Sequence, residues 1–311
     1  MKQHYLPQFY LDNFVDAESP PGHAPYLWVF SKKTGAWRRR APKNLAIKAD
    51  FYTFYEKNQE KRQELEQALS ILDGKTASIF REKISLQKPL DRGERGIVAE
   101  FLGRMLLLVR SFRQSVDAFL CDSFSQQMAM LATNPALFEE FRNGHLKPLD
   151  DEISRGLKPE DIHPKHWKIG VNQNYSLSLI LAELSRVKAK VARMSWTFLV
   201  SGRDAPFVTG DSPFSMIDPG RLDSSIGHGL ANPEIEVSFP VSSGFTLLAT
   251  WKTGLPDYVP VRSKTVAKLN RRQVSFARDF VVACKPTFPG DDALSSVDHT
   301  SSGGRSSRGT G

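Results

Sequence analysis

The sequence predicts an α+β fold: a mostly antiparallel sheet built from strands at both ends of the chain, packed on a central helical block. Three observations predict it. From about residue 58 to residue 191, apolar residues recur mainly at three- and four-residue spacing, the period of a helix with one buried face. Short runs on either side alternate apolar with polar residues, the period of a half-buried strand. Turn-rich links of a few residues join several of those runs, and links that short suit antiparallel pairs.

The chain opens on His4-Tyr5-Leu6-Pro7-Gln8-Phe9-Tyr10-Leu11, where helical spacing after Pro7 predicts a short helix. Tyr5, Phe9, Tyr10 and Phe14 would form a large apolar patch if exposed, so this segment is expected to dock. Tyr26–Ser31 and Ala36–Arg40 read as a hairpin with Gly35 in its turn. Phe51, Tyr52, Phe54 and Tyr55 add further aromatic surface.

Residues 58–84 carry Leu65, Leu69, Leu72, Thr76, Ile79, Phe80 and Ile84 on one helical face, with Gly74 as a candidate kink or close contact. Asp91 and Glu94 have capping-box spacing ahead of a second helix. Ile97, Phe101, Met105, Leu108, Phe112, Val116, Leu120 and Phe124 then predict a central core helix running to about Ala132. A short helix over 134–143 starts at Asn134-Pro135 and closes at Gly144. Residues 145–174 are polar and aperiodic, and helix returns over 175–191.

Trp196–Val200 and Pro206–Val208 flank Ser201–Asp204 and read as a second hairpin. Strands are expected over 234–240 and 245–251, a short helix over 263–270, and strands again at 274–276 and 280–284. The expected organisation is a single domain over 1–285 with a disordered Ser/Gly-rich tail over 286–311.

Composition narrows the class. The 311 residues are 40% hydrophobic and 24% charged, ordinary for a globular protein. The longest strongly apolar run, Met105–Val109, is bracketed by arginines and far too short to span a bilayer, so no membrane role is expected. No signal-peptide core precedes it, and Cys121 and Cys284 form neither a disulfide framework nor a zinc motif; both are expected to be buried thiols in a cytoplasmic protein. The net charge of +8 allows a nucleic-acid or phosphorylated partner, and its densest patch is Arg38-Arg39-Arg40. Walker, dinucleotide and serine-hydrolase motifs are absent.

Candidate chemistry centres on Thr209-Gly210-Asp211-Ser212-Pro213, where an apolar run breaks off into small and polar residues. His4 and Asp211 are the candidate catalytic pair, general base and orienting carboxylate. Glu66 and Asp73, seven apart on one helical face, are candidate ligands for a divalent metal. Gln8, Arg110, Thr209 and Ser212 are candidate substrate contacts. Two functions are open: a hydrolase acting on a phosphorylated or nucleic-acid substrate, and a non-catalytic binding or regulatory module using the aromatic N-terminus and the basic hairpin.

The segments His4–Leu11 and Pro206–Pro213 together resemble a bacterial family of unknown function, domain family 4238, supported by the Tyr26–Phe30 strand and by Pro42-Lys43-Asn44 ahead of Phe51-Tyr52. The resemblance reaches to about Cys284 and implies that the N-terminal histidine and the Thr-x-Asp turn belong to one unit. Gly210 stands where that family more often has serine, and Asp73 where glutamate is usual.

Overall fold

The computed structural model describes residues 2–20, 22–56, 58, 60–148, 150–221 and 229–295, and the fold is α+β with antiparallel sheets. The part of the expected tail beyond residue 295 lies outside the described residues. The chain divides into two compact units, one made of 1–111 and 180–311 and the other of Phe112–Leu179.

The larger unit begins with β1 (Lys2–His4) and α1 (Gln8–Asp12), the short helix expected after Pro7. Tyr5, Tyr10 and Phe14 are buried, as an aromatic N-terminus requires. The hairpin of β2 (Leu27–Ser31) and β3 (Ala36–Arg40) follows, with Gly35 at φ 63° in its turn, where a side chain would be strained. Three short strands come next: β4 (Ile47–Ala49), which pairs with β1, then β5 (Phe54–Tyr55) and β6 (Lys61–Arg62), which pair together.

Helix α2 (Glu64–Ile79) buries Leu69, Leu72, Thr76 and Ile79 and widens into one π turn over Phe80–Ile84, where Ser85 N donates to Phe80 O at 2.9 Å. Nothing lies within 4 Å of a side chain built at Gly74, so that glycine marks no close contact. The Asp91–Glu94 capping box starts α3 (Arg92–Leu107). The expected single long helix is broken at Leu108-Val109, both buried, and α4 (Arg110–Thr133) restarts there. Only the first part of that periodic run is core: Phe101 and Met105 are buried, whereas Phe119 and Phe124 are exposed. Helical period reports a preferred face, not what covers it.

The smaller unit, 112–179, contains α5 (Pro135–Phe141) and α6 (Asp151–Gly156) together with most of α4. Its core gathers Met128, Phe138 and Ile162, with Leu131, Phe141, Leu157 and Trp167 packed around them. Asn134 caps α5 by accepting from Leu137 N at 3.3 Å. The aperiodic stretch resolves into α6 and single turns at Pro159–Ile162 and Pro164–His166. Cys121 is only half-buried here, as Cys284 is in the larger unit, because each sits at the margin of a packed face.

After α7 (Gln173–Arg193) the strands are β7 (Ser195–Val200), β8 (Thr209–Gly210), β9 (Ser215–Ile217), β10 (Glu236–Ser242), β11 (Phe245–Thr250) and β12 (Tyr258–Pro260). They are followed by α8 (Ser263–Phe276) and β13 (Phe280–Ala283). One sheet runs β12-β7-β11-β10-β9 and the other β3-β2-β13-β8; β12 with β7 is the parallel pair. Strands from both ends of the sequence meet in the second sheet, where β13 lies between β2 and β8.

Three further expectations are corrected. Trp196–Val200 and Pro206–Val208 do not form a hairpin: β7 pairs with β11 and β12, while the chain beyond it crosses to the other sheet. The amide of Asn270 holds that crossing, accepting from Val208 N at 3.1 Å and donating to Pro206 O at 3.0 Å. Phe207 is thereby buried with Val266 and Leu269. Residues 274–276 belong to α8 and not to a strand, since Val274 continues its buried face after Val266 and Leu269. The packed chain also passes residue 285: Phe288 and Leu294 are buried with Val274, Ala277 and Val281, Asn270 donates to Pro289 O at 2.9 Å and Arg271 pairs with Asp292.

No helix among the described residues is long and apolar enough to cross a membrane.

Candidate functional site

The Thr209–Pro213 turn sits where β8 leaves the four-stranded sheet. Gly210 pairs with Val281 of β13, and a Cβ at Gly210 would lie 2.8 Å from both the Ala277 Cβ and the Phe280 carbonyl oxygen. Glycine is therefore required as long as Ala277 keeps its place. The close approach brings Asp211 against the link between α8 and β13. Its two carboxylate oxygens accept from Arg278 N at 2.8 Å and Asp279 N at 2.9 Å. Asp211 is 1% exposed, and burial raises its pKa above the ordinary aspartate value, against the pull of those backbone donors.

The N-terminal motif reaches this turn through tyrosines. The Tyr10 hydroxyl lies 2.6 Å from Thr209 Oγ1 and donates to Pro240 O at 2.9 Å. Tyr5 lies near Asp211, Arg110 and Asp279; burial, and then the Asp211 charge, raise its hydroxyl pKa far above the usual tyrosine value. Arg110 Nη1 donates to Asp279 Oδ2 at 3.2 Å. Ser111 and Ser212 hydroxyls are 2.6 Å apart, and Gln273 Nε2 donates to Ser212 O at 2.8 Å. Lys32 Nζ closes the other side on the α8 terminus, donating to Val274 O and Ala277 O at 2.9 and 2.7 Å. Burial holds that amine below the ordinary lysine value.

Of the residues that sequence reasoning selected, Arg110, Thr209, Asp211 and Ser212 surround this turn. His4 does not join them through a hydrogen bond: its Nε2 is 3.2 Å from the Lys43 carbonyl, and no hydrogen bond among the described residues links it to Asp211. His4 is the last residue of β1, with its ring held at the Lys43 carbonyl, and the chain bends at Tyr5 beyond it. Gln8 is exposed on α1. Thr209 is fully buried with its hydroxyl on Tyr10, which leaves it no face for a substrate.

The candidate metal ligands also part. Glu66 Oε2 accepts from Gln3 Nε2 at 2.7 Å, while Asp73 pairs with the buried guanidinium of Arg104. Among the described residues no three His, Cys, Asp or Glu side chains converge as a metal centre needs. Tyr5, Lys32, Ser111, Gln273 and Asp279 are the residues of this turn that the sequence reading missed. Tyr5 stood inside the opening motif, whereas nothing local marked the other four.

The buried Asp211 carboxylate accepts from two backbone N–H groups and so ties the turn after β8 to the link between α8 and β13. The basic β2–β3 hairpin belongs to the same sheet. Arg38, Arg39 and Arg40 are exposed on β3, the outer strand. The Arg39 guanidinium lies 4.7 Å from the Trp28 ring centroid and 4.8 Å from that of Tyr26. Among the described residues none of the three arginines has a carboxylate within ion-pair distance.

The larger unit is thus an α+β scaffold of one five-stranded, one four-stranded and two two-stranded antiparallel-rich sheets, knitted by its N-terminal motif. The chain matches the family described as protein of unknown function (DUF4238) over residues 2–287, and it belongs to that family. No curated protein and no solved structure matches it.

Proposed function

We propose that the chain binds nucleic acid through the phosphate backbone, using the outer strand of the β2–β3 hairpin. The observation that carries this reading is the run Arg38-Arg39-Arg40, three consecutive exposed guanidinium groups with no carboxylate partner among the described residues. Guanidinium groups match phosphate oxygens in geometry and release counterions on binding. Charge on an outer strand also blocks edge-to-edge pairing of sheets, but a single lysine would serve that purpose. Arg39, stacked on Tyr26 and Trp28, holds the middle of the run against the sheet, and Arg38 and Arg40 share the other face of β3.

The net charge of +8 adds long-range attraction for a polyanion. The N-terminal rings of Tyr5, Tyr10 and Phe14 take no part in this surface, because they are buried. A hydrolase built on His4 and Asp211 has less support, since no hydrogen bond among the described residues joins these two groups and Asp211 accepts from two backbone donors.

The test is fluorescence anisotropy with labelled single-stranded and duplex oligonucleotides, with the doubly reversed chain R38E/R40E as the comparison. Salt-sensitive binding lost in the variant supports the reading. Equal binding by both chains overturns it, and so does an absence of binding at low salt.

A further inference from the structure

On another face of the larger unit, α1, the end of α2 and the β10–β11 turn enclose a cleft of about 350 Å³, within the range of small-molecule sites. Its floor is apolar: Phe9, Phe80, Ile84, Val241 and Phe245 line it. The rings are fixed by the core behind them, Phe9 lying 6.0 Å from Phe80 and 5.4 Å from Phe101. The π turn over Phe80–Ile84 shapes one wall, and Phe80 and Ile84, both buried, line the cleft from it.

The polar groups at the mouth are unbalanced. Asp12, the last residue of α1, has a carboxylate with no hydrogen bond or ion pair among the described residues. Asn13 spends one of its two side-chain amide hydrogens on Phe9 O at 3.2 Å and leaves its side-chain oxygen without a hydrogen bond among them. Ser85 donates its hydroxyl hydrogen to Arg81 O at 2.5 Å. The single cation in the lining, Arg81, is engaged by Glu82 at 2.9 Å and points a guanidinium into solvent, 73% exposed. What the cleft offers a ligand is therefore aromatic faces and acceptors, with one free negative charge.

We propose that this cleft binds a small organic cation, a primary ammonium group carried on an aromatic or similarly flat apolar body. The ammonium would sit on the Asp12 carboxylate and the Asn13 side-chain oxygen, and the apolar body between Phe9, Phe80 and Phe245. Aromatic faces reinforce a bound cation and disfavour an anion. Proximity to the apolar wall strips water from Asp12 and raises its pKa above the ordinary aspartate value, a cost that a cationic partner relieves.

The experiment titrates the full chain with 2-phenylethylammonium, with 3-phenylpropionate as the anionic counterpart of matched shape, and follows binding by calorimetry and by NMR shifts of the Phe9 and Phe245 amides. The expected result is saturable binding of the amine with shifts at both amides, and a weakening of about tenfold in Asp12→Asn. Asp12 is exposed and unpaired, so that variant is expected to keep the parent melting temperature, and a second variant, Phe245→Ala, should weaken the amine as well. Equal binding of phenylpropionate, an unchanged affinity in Asp12→Asn, or no saturation by the amine in the millimolar range overturns the proposal.

Discussion

The Tyr10 hydroxyl and the Thr209 hydroxyl, 199 residues apart in sequence, lie 2.6 Å from each other in the core of the larger unit. Tyr10 is fully buried and also donates to Pro240 O, so one side chain from the opening motif ties β8 to β10, two strands of different sheets. Burial sends its pKa far above the normal tyrosine range, which keeps the hydroxyl a donor at every accessible pH. Tyr10→Phe keeps the ring against Phe14 and Phe239 and strands both partners. Urea unfolding should report a loss of about 1–3 kcal/mol, with an unchanged slope against denaturant.

Asp211→Asn tests whether this carboxylate is scaffold or reagent. An amide can accept from only one of the Arg278 and Asp279 N–H groups and turns its own NH2 towards the other. The variant should lose about 1–3 kcal/mol of stability. Thermal unfolding measures it; a melting temperature equal to that of the parent would mean that the backbone bonds to Asp211 do not hold the crossing.

Asp73 carries a pH dependence. Burial pushes its pKa up to about 6, outweighing the nearby Arg104 guanidinium. A folded-state value above the unfolded one means that folding favours the protonated acid. This contribution is fully present below the unfolded value and disappears as pH rises through the folded one. Stability assigned to Asp73 should thus fall between about pH 4 and pH 6, by on the order of 3 kcal/mol. In Asp73→Asn that part of the curve should flatten, as denaturant midpoints measured across this window will show.

The arginine run predicts a salt signature. Each guanidinium that neutralises a phosphate contributes about 0.9 to the slope of log affinity against log salt on duplex DNA. Replacing Arg38 with alanine should reduce that slope by about one and weaken binding to all sequences alike, because phosphate contacts carry no base information. Anisotropy titrations at several salt concentrations measure both effects.

How much of this was legible beforehand follows from the range over which each determinant acts. The Asp91–Glu94 capping box, the Gly35 hairpin, the helix after Pro7 and the docking of the N-terminal aromatics depend on residues within a few positions of one another, and local spacing declared them. The α+β class came from the same periodicities. The break at Leu108-Val109 and the length of α8 escaped, because period alone cannot tell a buried face from one that continues into solvent.

The sequence by itself determined most of the helices and strands, that the N-terminal aromatics must be covered, and that an acidic turn follows Phe207. Tertiary structure decided what those pieces do. It gave the side of the chain facing Asp211 to Tyr5 rather than His4, drew Asp73 to Arg104 and Glu66 to Gln3, and sent the chain after Val200 to the other sheet through Asn270. The physical reason is that a buried polar group must find its partner wherever the fold places one, and such partners here stand 31 to 230 residues away, beyond the reach of any local pattern.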